Sequence, residues 1–401
     1  MSPRRPRGGA AAPLSSRLAF RPRLLPLESR EVPSTTATDT SGDPPAPPVE
    51  TTPTPAVVAA PLVAVGSDTG YKPGVRVYDT STGQVKFSFL AYEPTFKGGV
   101  RVATGDVNGD GVADIVTAPG PGRSPLIKVY DGTDGTLMTQ FLAYSEKFTG
   151  GVYVAVGDVN GDGQADVITG AGEKGGPHVR VFNGAWIAPP STTTVQQGTS
   201  STSVAVNADG TTTEGPTTTS TTVVRDTTTQ VLTEFMAYDV RFTGGVRVAA
   251  GDVNGDGKAD IITGAGTGGG PHVRVISGAD GSVLRNFMAF ATPFTGGVYV
   301  SAGDLDGDGK AEVVVATGPK GGAQVRSFNG ATGAQQREFS ALSAPGSLGA
   351  KVAVVDYDQD GSTDILVAVG KQVQIRNGRT GKLKTTLNVT DANFAASGIN
   401  I

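Results

Sequence analysis

The chain has 401 residues, a formal net charge of −4, 58 Gly, 26 Pro and no Cys. Disulfides therefore cannot staple it, which leaves a bound metal as the available staple. Charged residues make up only 17% of it, with no basic stripe to mark a nucleic-acid partner and no apolar run near the ~18 residues of a membrane span.

Residues 1–56 differ in composition from the rest. Arg4, Arg5, Arg7, Arg17, Arg21 and Arg23 all precede the first acid, Glu28, as in an export or targeting element. Pro and Gly interrupt any apolar stretch, so this is not a standard signal peptide, and a disordered basic tail explains the same residues equally well. Residues 34–55, rich in Thr, Pro and Asp, read as an extended linker. The expected division is a disordered targeting and linker segment at 1–56 and a folded domain at 57–401.

The folded part opens with three short alternating segments, Leu62-Val-Ala-Val-Gly66, Val75-Arg-Val-Tyr78 and Val85-Lys-Phe-Ser-Phe-Leu90. Then comes an acidic nonapeptide, Asp106-Val-Asn-Gly-Asp-Gly-Val-Ala-Asp114, repeated from Asp158, Asp252, Asp304 and Asp356. The starts are 52, 94, 52 and 52 residues apart, so a 52-residue unit is interrupted once by 42 extra residues. Between nonapeptides the pattern is constant. A segment such as Gly245-Val-Arg-Val-Ala-Ala-Gly251 precedes each loop, and Asp260-Ile-Ile-Thr, His272-Val-Arg-Val-Ile and Val283-Leu-Arg-Asn-Phe-Met-Ala-Phe290 follow it. These predict four strands per unit, A to D, with the nonapeptide joining A to B.

Calcium takes six to eight oxygens, and a tight loop supplies them from alternate residues. Positions 1, 3, 5 and 9 carry oxygen in every copy: Asp106, Asn108, Asp110 and Asp114; Asp158, Asn160, Asp162 and Asp166; Asp252, Asn254, Asp256 and Asp260; Asp304, Asp306, Asp308 and Glu312; Asp356, Asp358, Asp360 and Asp364. Position 7 varies through Val112, Gln164, Lys258, Lys310 and Ser362, as expected where only a backbone carbonyl reaches the ion. Gly at position 6 supplies the turn. The competing reading of any one copy is a solvated Asx/Gly turn. An EF-hand is excluded, because position 12 is never Glu and the flanks are strand-like. About five calcium sites are expected.

The 42 extra residues fall between strands C and D of the third unit, at about 187–229, and are crowded with Ser and Thr. They are expected to project from the face that carries the loops, with Trp186 anchoring their start and a small hairpin around Asp209-Gly210. At the far end, residues 394–401 resemble the entry to an A strand, the one element missing from the first unit. They are expected to pair with its B strand and close a ring.

Four antiparallel strands per unit around an axis predict an all-β, six-bladed β-propeller of four-stranded blades with calcium-binding A–B loops; seven blades are the alternative. Phe-Thr-Gly-Gly, Gly-Asp-Val-Asn-Gly-Asp-Gly and Thr-Gly-Ala-Gly together resemble the FG-GAP repeat of integrin α-subunit propellers and their bacterial secreted relatives, over residues 57–401 less the insertion. Residues 23–33 likewise resemble the N-terminal Leu-Glu-x-Arg element of large secreted planctomycete proteins. The resemblance implies the propeller and its calcium, not a ligand. It departs from integrins in having six units rather than seven and in lacking a Gly-Ala-Pro.

Function is expected to be binding: a calcium-stabilised, secreted or cell-surface adhesion scaffold for an extracellular protein or a glycan. The alternatives are a lectin, with Tyr92, Tyr144, Tyr238 and Phe290 as stacking surfaces or as packing between blades, and a propeller enzyme acting on polysaccharide. No catalytic set is legible. His178 and His272 hold equivalent places in neighbouring units and are expected to lie too far apart to share a metal, and the recurrent carboxylates belong to the loops.

Overall fold

The computed structural model describes residues 62–186, 204–206, 212–214, 231–341, 349–388 and 399–400. Two compact units divide the chain, Met1–Ala56 and Val57–Ile401. The first, with its expected targeting element and linker, lies outside the described residues, as do most of the insertion and residues 394–398.

Period-2 alternation builds six four-stranded antiparallel sheets, the blades of a propeller. In the fourth blade, A (Val246–Gly251), B (Asp260–Ala265), C (His272–Ile276) and D (Val283–Met288) pair in sequence, with Val246 opposite Ala265 and Gly251 opposite Asp260. The B strands are buried along their whole length, because both faces meet neighbouring blades. D strands alternate and carry the outer edge. Each D pairs with C through a bulge near the C–D turn, for example between Val275 and Ile276, which adds twist where the blade is widest.

Six apolar clusters seal the six blade-to-blade interfaces. The close approach depends on a small residue at the fifth position of every B strand. A Cβ on Gly264 would lie 2.7 Å from the carbonyl oxygen of Val298 in the next A strand. The ring closes through Val63 and Val65 of the first blade packed with Leu366 and Ile375 of the sixth. Across the same seam Lys351 pairs with Asp68 at 2.6 Å. The first blade takes its A strand from Ile399–Asn400, antiparallel to Leu62–Ser67, with Gly66 opposite Asn400.

Tyrosines at the ends of D strands tie blades together. The hydroxyls of Tyr92, Tyr144 and Tyr238 donate to the carbonyls of Leu126, His178 and His272 in the next blade, at 2.9, 2.9 and 3.0 Å. In the insertion, Val204–Val206 pairs with Thr212–Glu214 as a two-stranded hairpin. Trp186 ends a short 3₁₀ turn, its ring edge-on to Phe141 at 6.0 Å.

Candidate metal centres

Each A–B loop is wound by its own acids. Oδ1 of Asp106 accepts the N–H groups of Gly109 and Asp110 at 2.7 and 3.1 Å, and Oδ2 accepts that of Gly111 at 2.8 Å. The loops from Asp158, Asp252 and Asp304 repeat this pattern. The position-5 aspartate accepts the N–H of position 7 in all five. The winding forces positive φ at position 6, +85° at Gly111 and +81° at Gly361. Position 4 is also left-handed, and the fifth loop holds Gln359 there at φ 56°, strained where the others have Gly.

The position-9 carboxylates face inward. Asp114, Asp166, Asp260, Glu312 and Asp364 are fully buried. Oδ2 of Asp114 accepts the N–H of Val107 at 3.0 Å and Oδ1 accepts that of Gly132 in the C–D turn at 3.1 Å, so this residue fastens the two turns of one face. Asp166 and Asp260 do the same with Gly184 and Gly278. Burial pushes Asp114, Asp166 and Asp260 up to about 6, against the pull of those N–H donors. Glu312 and Asp364 are raised for the same reason.

The loops differ in what stands between their acids. In the first three, the side-chain amide of Asn108, Asn160 or Asn254 donates to the position-5 aspartate at 2.9–3.1 Å. In the fourth, oxygens of Asp304, Asp306 and Glu312 converge within 4.8 Å of one another, and Oδ1 of Asp306 is buried without a hydrogen-bond partner. In the fifth, oxygens of Asp356, Asp358 and Asp360 converge equally, but the ammonium of Lys384 lies 2.8 Å from Asp358, 3.2 Å from Asp360 and 2.8 Å from Asp364. The fifth loop thus differs from the other four in containing a side-chain cation.

That difference traces to the second residue of strand D, which in the fourth and fifth blades reaches the acids of its own loop. It is Met138, Leu232, Leu284, Gln336 and Lys384 in turn. Loops also bond to one another. The position-8 N–H groups of Ala165, Ala259 and Ala311 donate to the position-1 carbonyls of Asp106, Asp158 and Asp252 in the preceding blade, at 2.8, 2.7 and 2.6 Å. The hydroxyl of Thr363 donates to the carbonyl of Asp304 in the same way.

An all-oxygen donor set of carboxylates suits a hard divalent cation, calcium above all, and the buried Asp306 oxygen without a hydrogen-bond partner fits such a donor set. The residues fit calcium. In the first four loops the position-1, -3, -5 and -9 side chains, with the position-7 carbonyls of Val112, Gln164, Lys258 and Lys310, would hold it, and in the fifth Lys384 stands in the way of the equivalent set ending at Ser362 and Asp364.

Elsewhere the candidate residues pack against one another within or between blades. His178 stacks on Tyr144 at 5.4 Å and faces Glu234 at 3.2 Å, while His272 stacks on Tyr238 at 5.0 Å in another blade. The two rings are not brought together. Tyr92 and Phe290 are only 4% and 7% exposed, which makes them interblade packing rather than stacking platforms. Among the described residues no helix is long and apolar enough to cross a membrane.

Residues 106–169 and 304–367 match the FG-GAP-like repeat, and residues 244–283 match the FG-GAP repeat. Among solved structures, a protein of unknown function from Bacteroides caccae is similar at 12% identity and TM-score 0.45, over 85% of this chain and 98% of that one. The V. cholerae biofilm matrix protein Bap1 is similar at 19% identity and TM-score 0.34, over 72% of this chain and 39% of that one. A Bacillus licheniformis rhamnogalacturonan lyase is similar at 14% identity and TM-score 0.38, over 81% of this chain and 60% of that one. The chain thus spans less than two thirds of the latter two. With the matched repeats together containing all five acidic loops of a closed six-bladed ring, the chain is an FG-GAP-repeat β-propeller protein.

Proposed function

We propose that the protein is a non-catalytic interaction scaffold, stabilised by calcium and working outside the cytoplasm as a secreted or cell-surface adhesion module. One observation carries the reading. The acidic loops join the A–B and C–D turns of a blade through a buried carboxylate, so an ion held there fastens a whole face of the ring. When bound, calcium would neutralise the repulsion between three or four carboxylates and lock those turns together. Sites of the extracellular class, with dissociation constants of roughly 10⁻⁴ to 10⁻³ M, fill in a calcium-rich compartment and stay empty in cytosol. The face opposite the loops, built from D–A and B–C turns, then offers a rigid surface to a protein partner.

A second reading is glycan binding. It is favoured by a groove of about 410 Å³ between the third and fourth blades, where Tyr238, Phe242, His272, Arg274 and Asn286 bring aromatic edges and polar groups together. Pull-down from an envelope or extracellular fraction in millimolar calcium and in chelator tests the scaffold, and a glycan array separates the two readings. A partner retained only with calcium supports the scaffold. Sharp sugar selectivity transfers the assignment to a lectin, and turnover of a polysaccharide removes both.

A further inference from the structure

The A strands line the propeller axis, and the residues paired with the fifth position of each B strand form a ring at the end away from the acidic loops: Arg101, Tyr153, Arg247, Tyr299 and Lys351. These residues surround a cavity of about 60 Å³, room for several waters or a small molecule, and behind it runs an aliphatic cavity of about 170 Å³. The guanidinium of Arg101 stacks on Tyr153 at 3.8 Å, and that of Arg247 lies 5.6 Å from Tyr153 and 4.0 Å from Tyr299.

Among the described residues the charges in this ring do not balance. Lys351 has Asp68 as its counterion. Arg101 and Arg247 have no carboxylate within ion-pair distance among the described residues. Arg247 is only 5% exposed. Its Nη1 donates to the carbonyls of Ala265 and Val298, both at 3.2 Å, while its buried Nε has no partner. A buried guanidinium without a counter-charge is costly, and its free edge matches the fork of a carboxylate or phosphate.

We propose that this axial mouth binds a compact oxyanion, a carboxylate or phosphate group, held by the free edge of Arg247 together with Arg101. Two groups then compete for one place, because among the described residues Tyr153 is the acidic group in contact with both arginines. Burial pushes its hydroxyl up, but Arg101 and Arg247 together outweigh that and, with Lys351 beyond them, draw it down to about 8. Tyr299 and the Lys351–Asp68 pair complete its charged and titratable surroundings. Below that pH the phenol is neutral and the pocket's positive charge is free for an outside anion. Above it the phenolate supplies the missing charge and expels the ligand.

The full-length, calcium-loaded protein is titrated separately with acetate and with inorganic phosphate across this pH range, followed by tyrosinate absorbance and by calorimetry. Binding at neutral pH, weakening about tenfold for each pH unit above the tyrosine midpoint, is expected, with the midpoint itself raised by either probe. Acetate alone, phosphate alone or both identify the source of the oxyanion. Arg247→Met should lower affinity about tenfold or more. Tyr153→Phe should keep neutral-pH affinity and lose its pH dependence, a readout that survives even if the Arg247 variant fails to fold. No binding of either probe to the wild type, unchanged affinity in folded Arg247→Met, or an intact pH dependence in Tyr153→Phe overturns the proposal.

Discussion

The ammonium of Lys384 lies 2.8 Å from the buried carboxylate of Asp364, in the position where the other acidic loops have no charged side chain. Asp358 and Asp360 share it, and the ammonium is held well above the ordinary lysine value by its three carboxylates although burial opposes them. A lysine in this place would do permanently what a bound calcium would do reversibly in the other blades. Replacing it by methionine, the residue of the second blade, should open the fifth loop to an ion. Elemental analysis is expected to find about four calcium ions in the wild type and one more in Lys384→Met. Equal counts in the two proteins would show that the lysine yields to the ion.

The fourth loop should respond to a single atom. Asp306→Asn removes the buried oxygen that has no partner and installs the amide found in the first three loops. Without metal the variant should be at least as stable as the wild type, because one repelling carboxylate is gone. In calcium about 100-fold above the dissociation constant it should lose up to about 2.7 kcal/mol of that site's contribution. Paired thermal melts in calcium and in chelator read both signs, and a loss in chelator as large as that in calcium would contradict them.

Acid should uncouple the metal from the fold. In the ion-free chain Asp114, Asp166 and Asp260 are raised to about 6, so between that pH and their unfolded value the folded state holds protons that the unfolded state releases. Ion-free stability therefore rises as the pH falls from about 6 toward the unfolded value, and is flat above about 6, where both states are ionised. Calcium needs the ionised carboxylates and is displaced over the same window. The Tm difference between calcium and chelator should shrink from about pH 7 to about pH 5. A difference that does not change with pH contradicts this.

Ring closure rests on a short pairing, Gly66 with Asn400 and Ser67 with Ile399. Removing 394–401 exposes a strand edge on the first blade, at the seam held by Lys351 and Asp68. The truncated protein is expected to aggregate or to melt without cooperativity. Unchanged melting would mean that the apolar seam of Val63, Val65, Leu366 and Ile375 suffices to hold the ring.

The blades and loops were legible because their signals are local. Strand alternation and ligand spacing within nine residues survive any arrangement of the rest, and even the closing strand announced itself as the one element its blade lacked. Lys384 was not legible as part of the fifth loop, since nothing in its own strand says that the second residue of D arches over the A–B turn. A charge at a place otherwise held by Met138, Leu232 and Leu284 was the available sign. The axial ring was hidden for a different reason. Arg101, Tyr153 and Arg247 sit in separate repeats, and only the geometry of a closed ring turns equivalent positions into neighbours. Tyr144 and Tyr238 read from sequence as packing between blades more than as sugar platforms, and their hydroxyls donate to carbonyls of the next blade.

The bonds from Ala165, Ala259, Ala311 and Thr363 to the preceding position-1 residue make the five loops links of one open chain, with the first blade as its gap. Each position-1 aspartate offers its carboxylate to its own loop and its carbonyl to the next, so an ion that stiffens one loop also fixes the acceptor on which its neighbour leans. Calcium should therefore fill these loops as a row with neighbour-to-neighbour memory, the middle members gaining from both sides and the terminal ones from a single side.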